Sequence, residues 1–285
     1  MKRSTCILYS LLRTRRLLLE TLALVLAIGL FSFPAFAVPV PPGSYYTDVI
    51  GGGLGAAPAG YFPNDDGSFG PYSLGYTLNY FGNNYTDFFI NNNGNVSFGT
   101  GVGVYTPDPL NQTTFAPMIA PYWADVDTRP VGGGTVLLRT DPGQIIVTWD
   151  QVGYYNQHTD LLASFQLVLR GPGYSVPSDE GTIGFFYKAI QWETGDASGG
   201  SGGFGGVQAT VGFGDGLFTV NPGEFSLPGS QMAGISGIVA NNHYWFNLGS
   251  EGTPTPVPSV PEPATLTLLG SGLAGLAAWR RKRGA

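Results

Sequence analysis

The chain reads as an all-β protein, a single antiparallel β-sandwich-like domain flanked by an N-terminal signal helix and a short C-terminal transmembrane helix. Three observations predict this. Apolar and polar residues alternate over short runs, the pattern of strands that cover a shared core. Turn formers punctuate those runs, with 44 glycines and 22 prolines among 285 residues. Aromatic residues reach 13% while charged residues make up only 11%, which suits half-buried strands joined by tight turns.

Residues 1–37 read as a secretory signal. A basic start leads into an apolar segment from Leu22 to Phe33, and Ala35-Phe36-Ala37 supplies an A-x-A site for signal peptidase, with Ala35 and Ala37 as its small residues. Residues 38–71 read as a partly irregular extension. Within it, Gly51-Gly52-Gly53 and Asn64-Asp65-Asp66-Gly67 are turn material.

The β domain is expected over residues 72–249. Aromatic and aliphatic residues recur at near-alternate positions from Tyr72 to Ile90, interrupted by Gly82-Asn83-Asn84, which predicts a hairpin. Asn91-Asn92-Asn93-Gly94-Asn95 is a turn leading into a strand at Val96-Ser97-Phe98. The central stretch, Met118 to Arg129, is an apolar run ending in two carboxylates, Asp125 and Asp127. Pro117 and Pro121 exclude a helix there and point to edge or turn backbone.

A second hairpin is expected from Thr135 to Asp150, turning at Asp141-Pro142-Gly143, with Ile145, Val147 and Trp149 on one face. In Ala163 to Arg170, Phe165, Leu167 and Leu169 share a face opposite Gln166 and Arg170. Ile183, Phe185 and Tyr187 do the same in the run from Thr182 to Trp192. Thr194 to Gly206 reads as a flexible Gly/Ser loop, Val207 to Phe213 as a strand, and Tyr244 to Leu248 as the last strand. Residues 250–259 read as an extended Thr/Pro linker, followed over residues 260–285 by Pro261-Glu262-Pro263, an apolar segment from Ala264 to Trp279, and Arg280-Arg281-Lys282-Arg283. The positive-inside rule keeps that basic cluster cytoplasmic while the apolar segment anchors the chain transiently.

The formal net charge of −6 conceals an uneven distribution. Nine of the thirteen basic residues lie at the two ends, so the body between Val38 and Val260 holds four basic and seventeen acidic residues, a net −13. Nucleic-acid binders need a basic footprint, and this body lacks one. The single cysteine, Cys6, falls in the leader, which leaves the mature chain without a disulfide, a thiolate nucleophile or a cysteine metal ligand.

The sequence APMIAPYWADVDTR, preceded by NNNGNVSFG and followed by VTWDQVGYY, SFQLVL, GFFYKAIQW and QATVGF, resembles the extracellular nidogen-like (NIDO) domain over roughly Gly75 to Leu248. The resemblance implies an all-β extracellular module associated with cell–matrix adhesion and carries no catalytic or ligand residues with it. The tail resembles the PEP-CTERM sorting signal of Gram-negative bacteria in its order of Pro261-Glu262-Pro263, short apolar helix, and basic end. That resemblance implies recognition and processing by an exosortase in a producer of extracellular polysaccharide.

Several residues are candidates for chemistry. Alternate carboxylates on extended chain share a face, so Asp125 and Asp127 are candidate oxygen ligands for calcium, to be completed by carbonyls or other acids; the competing reading has them capping turns or pairing with Arg129. Tyr154, Tyr155 and Trp245 are candidates for stacking on sugars, with core packing as the alternative. Trp149-Asp150 and Trp192-Glu193 place acids beside aromatics, the basis for an alternative reading as a glycan hydrolase using two carboxylates. His158 and His243 read as surface or loop residues, and two distant histidines make no zinc site. Two GxGxxG matches, at Gly200 and Gly270, do not open a helix after a strand, so dinucleotide binding is rejected. The expectation is therefore a non-enzymatic exported protein of the cell surface or extracellular matrix, acting in adhesion or biofilm structure. Its partners would be signal peptidase and exosortase during export, then polysaccharide or matrix protein, with no nucleic acid.

Overall fold

A computed structural model describes residues 40–47, 53–112 and 114–257. The signal segment with Ala35 and Ala37, the apolar segment from Ala264 to Trp279, and the sorting residues Pro261, Glu262, Pro263, Arg280, Arg281, Lys282 and Arg283 lie outside the described residues. Among the described residues, no helix is long and apolar enough to cross a membrane.

The architecture is two antiparallel sheets. The first has the order β1-β2-β3-β4-β10-β11, built from β1 (Ser68–Tyr80), β2 (Asn83–Asn91), β3 (Asn95–Ser97), β4 (Met118–Trp123), β10 (Thr210–Gly214) and β11 (Phe225–Ser226). The second has the order β13-β12-β9-β8-β7-β5, from β5 (Val126–Asp127), β7 (Gln144–Tyr154), β8 (His158–Arg170), β9 (Ile183–Ile190), β12 (His243–Leu248) and β13 (Pro254–Pro256). β6 (Thr135–Asp141) pairs with the first part of β7, while β5 pairs with its end at Gly153 and Tyr154. A short helix, α1 (Ile235–Val239), precedes β12.

The expected strands form, several of them longer than the alternation suggested. The β1–β2 hairpin turns after Tyr80, and the β6–β7 hairpin turns through Pro142 and Gly143, with Gly143 at φ +73°. A side chain is strained there, and proline presets the preceding angle. The inner residues of the two sheets form one core. Trp149 stacks on Phe165 with centroids 5.1 Å apart, and Tyr122 and Trp192 pack beside them. Each polar tip is satisfied: Trp149 Nε1 donates to the Asn92 carbonyl at 3.1 Å, Trp192 Nε1 to the Val152 carbonyl at 3.1 Å, and the Tyr122 hydroxyl to the Trp192 carbonyl at 2.7 Å.

Three expectations change. Pro121 sits inside β4, which has a strand on each side, rather than at an edge. It is accommodated because the β4–β10 register shifts between the Trp123 and Ala120 pairs and β3 pairs only as far as Ile119, so no ladder partner needs the missing N–H. The Thr/Pro segment expected as a linker instead supplies β13, at the sheet edge where proline is tolerated. The Gly/Ser loop expected to be flexible is knitted by backbone bonds: a 3-10 turn spans Asp196–Ser198, and Val207 N donates to the Ser198 carbonyl at 2.9 Å. The extension before β1 is irregular in path yet packed. Val40 and Tyr46 cover Ile146, Val168, Phe186 and Trp245 on the second sheet's outer face. There Tyr46 N donates to Gln166 Oε1 at 3.1 Å, and buried Arg170 donates to the Tyr46 hydroxyl and to Glu180, each at 2.6 Å.

Candidate functional site

A polar cluster forms where the turn before β1, the β2–β3 turn and the β4–β5 junction meet. Asn92 and Asn93 hold these segments together. Asn92 Nδ2 donates to the Val126 carbonyl at 2.6 Å, to the Asn64 carbonyl at 3.3 Å and to the Asp65 carbonyl. Asn93 Oδ1 accepts from Val126 N at 2.9 Å, and Asn93 Nδ2 donates to Asp66 Oδ1 at 2.9 Å. Thr128 N closes the ring by donating to the Asn64 carbonyl at 2.9 Å. The asparagines can reach both neighbours because Gly94 (φ +79°) approaches the Tyr122 carbonyl so closely that a Cβ would collide with it.

This scaffold brings Asp65, Asp66 and Asp125 together, with one carboxylate oxygen from each lying within 4.8 Å of the others. Asp125 is 1% exposed, and neither of its carboxylate oxygens accepts a hydrogen bond from the protein; Asp65 Oδ1 is likewise buried and unpaired. Burial above all, then the charges of Asp65, Asp66, Asp127 and Asp196, pushes Asp125 up to about 8. Asp65 is pushed up to about 6, first by burial and then by Asp66 and Asp127, against the pull of Arg129.

Asp127 has a different role from Asp125. Arg129 donates to its Oδ1 from Nε at 2.9 Å and from the backbone N at 3.0 Å and to its Oδ2 from Nη2 at 2.5 Å, and Gln157 N donates to the same Oδ2 at 2.9 Å. The alternate spacing therefore leaves one acid paired and one bare, and the close partners of Asp125 come from Asp65 and Asp66, more than fifty residues upstream. The sequence offered only a turn signal there, although two adjacent acids in an Asn–Gly turn are a usable hint.

The structure separates the aromatic candidates. Tyr154 is fully buried, between His158 (centroids 4.4 Å) and Trp192, and its hydroxyl donates to Asp160 at 3.1 Å. Trp245 is 7% exposed beneath Tyr46 and beside Arg170. Both are packed in the fold: the strand alternation turns Tyr154 inward with Val152, and the extension packs against Trp245. Tyr155 is half-buried with Arg129 over its ring at 5.9 Å.

The acids behind the hydrolase alternative are engaged separately. Asp150 accepts from the Tyr45 hydroxyl at 3.1 Å, and Glu193 accepts from Gly234 N, Ser236 N and the Ser236 hydroxyl at the start of α1. His158 is not a bare surface residue; its Nε2 lies 3.1 Å from Asp196. His243 lies flat against Phe186 and, with Trp245 and Phe225, lines a cavity of about 390 Å³.

A family model described as NIDO related matches residues 43–244. The chain belongs to the NIDO-related family. A second model, the PEP-CTERM protein-sorting motif, matches residues 259–282. The chain is thus an extracellular NIDO-related module with a PEP-CTERM sorting tail. Among curated proteins it is similar to alpha-tectorin from Mus musculus, 35% identical over 200 residues, which covers 61% of this chain and 9% of that protein. Alpha-tectorin from Homo sapiens is 34% identical and that from Gallus gallus 30% identical over the same length and shares. The chain therefore spans less than a tenth of these relatives. No solved structure matches it.

Proposed function

We propose that this protein is exported, processed near Pro261-Glu262-Pro263 by an exosortase, and held at the cell surface or in the extracellular matrix. There its β-sandwich acts in adhesion or biofilm structure through non-catalytic contacts with polysaccharide or matrix protein. The observation that carries this reading is the pairing of a NIDO-related domain over residues 43–244 with a PEP-CTERM motif over residues 259–282 in one chain. The acidic body, with four basic residues, agrees with a surface role and disfavours polyanion binding by charge alone. Half-buried Tyr155 remains as an aromatic candidate for a ligand contact.

The test follows the protein in its producer. Glu262→Ala should leave unprocessed chain in the membrane fraction, while the wild type is found shortened at the surface or in the matrix. A strain lacking the protein should retain less matrix. A wild-type protein that stays inside the cell, or a purified protein that releases reducing sugar from the producer's polysaccharide, would overturn the reading, the second outcome in favour of a hydrolase.

A further inference from the structure

We infer that Asp65, Asp66 and Asp125 bind one divalent cation, calcium by the chemistry of the donors, and that this ion fastens the segment before β1 to the β4–β5 junction. The inference rests on local geometry and is independent of what the module contacts outside the cell.

Three features carry it. The first is spacing. Oxygens bound to one calcium at about 2.3–2.6 Å can lie at most about 5 Å apart across the ion. The three acidic oxygens fall within 4.8 Å of one another, inside that limit. The second is the missing partners. Asp125 is 1% exposed with both oxygens unpaired, and Asp65 Oδ1 is buried and unpaired as well. Buried carboxylate oxygens are otherwise matched by donors or metal, because leaving them bare costs the full desolvation penalty. The third is charge. Arg129 is the cation paired with this group, and it is committed to Asp127 and to Asp65 Oδ2, at 3.2 Å. Four carboxylates facing one guanidinium leave an excess that a divalent ion would offset.

The donors are hard oxygens with no histidine nitrogen or sulfur among them, which selects calcium over zinc. The site is also held in place without the ion. Asn92 ties Asp65 to Val126, Asn93 orients Asp66, and Gly195 leaves room beside the Asp125 carboxylate, where any Cβ would strike it. Backbone carbonyls and water would complete the six to eight oxygens that calcium takes.

The experiment titrates calcium into the exported protein, purified and stripped with chelator, by calorimetry and by thermal melting. The expected result is one ion per chain with Kd of about 0.1–1 mM, as in extracellular modules. The melting temperature should rise by about 3–6 °C at ten times Kd. Asp125→Asn should abolish both signals. Should that variant fail to fold, Asp66→Asn, whose side chain is exposed, should weaken binding about tenfold or more. Asp87→Asn, at an exposed acid in β2, should change neither signal. No calcium heat in the wild type, an undiminished signal in both site variants, or an equal loss with Asp87→Asn would overturn the inference, the last by marking diffuse attraction to an acidic surface.

Discussion

At the scale of single residues, Asp125 and Asp127 show how far a spacing argument reaches. Both are buried, but Arg129 sits two residues from Asp127 and satisfies it, whereas nothing adjacent in sequence satisfies Asp125. The pair was legible as acids at the end of an apolar run. Their division of roles was not, because Asp65 and Asp66 reach Asp125 only through tertiary folding. A buried, unpaired carboxylate opposes folding when no cation is bound. In chelator, Asp125→Asn should therefore melt no lower than wild type and gain about 1–3 kcal/mol by chemical denaturation. His243 carries a separate pH dependence. Burial against Phe186 lowers its pKa, with Glu180 pulling it back up and Asp179 lining the same cavity. A lowered folded-state pKa favours the neutral ring, so the associated stability is complete above the unfolded value near 6.5 and is lost as pH falls below it. Melting curves between pH 7.5 and 5, taken at roughly half-unit steps, should show a shallower decline for His243→Gln than for wild type.

At the scale of elements, the strands were legible because alternation reports which side of a sheet a residue occupies. Ile145, Val147 and Trp149 do face the core together. The same alternation could not show that the opposite face of the second sheet is also covered. Ile146, Val168 and Phe186 meet Val40 and Tyr46 from an extension that has no periodicity of its own. That hidden cover explains why Trp245 and Arg170 are buried. Tyr46 is the centre of the cover, in ring contact with Phe186 and Trp245 and accepting a bond from Arg170. Tyr46→Ala should cost about 3–5 kcal/mol in urea unfolding, as large aromatic truncations do. Tyr155→Ala, at a half-buried ring, should cost less than about 1 kcal/mol. Equal costs at the two positions would contradict the packing described for the extension. Pro121 and the Pro254–Pro256 strand make a related point. Proline excludes ladder donation at one residue, and a bulge or an edge satisfies that condition without ending the strand.

At the scale of the whole molecule, the body must be held by packing without a disulfide, since its only cysteine precedes residue 38. One aromatic-rich core between two sheets supplies most of that packing, and the extension wraps the outside. The acidic cluster lies where the extension enters β1, so a bound ion would tie the wrap to the core and make the exported form more rigid than the chain in low calcium. The measurement that tests this most directly is a crystal structure of the exported protein grown with calcium. A peak is expected among Asp65, Asp66 and Asp125 with oxygen distances of about 2.3–2.6 Å, replaced in chelator-grown crystals by weaker density. A site without such a peak at saturating calcium, with the Asp125 oxygens bonded to ordered water instead, would contradict it.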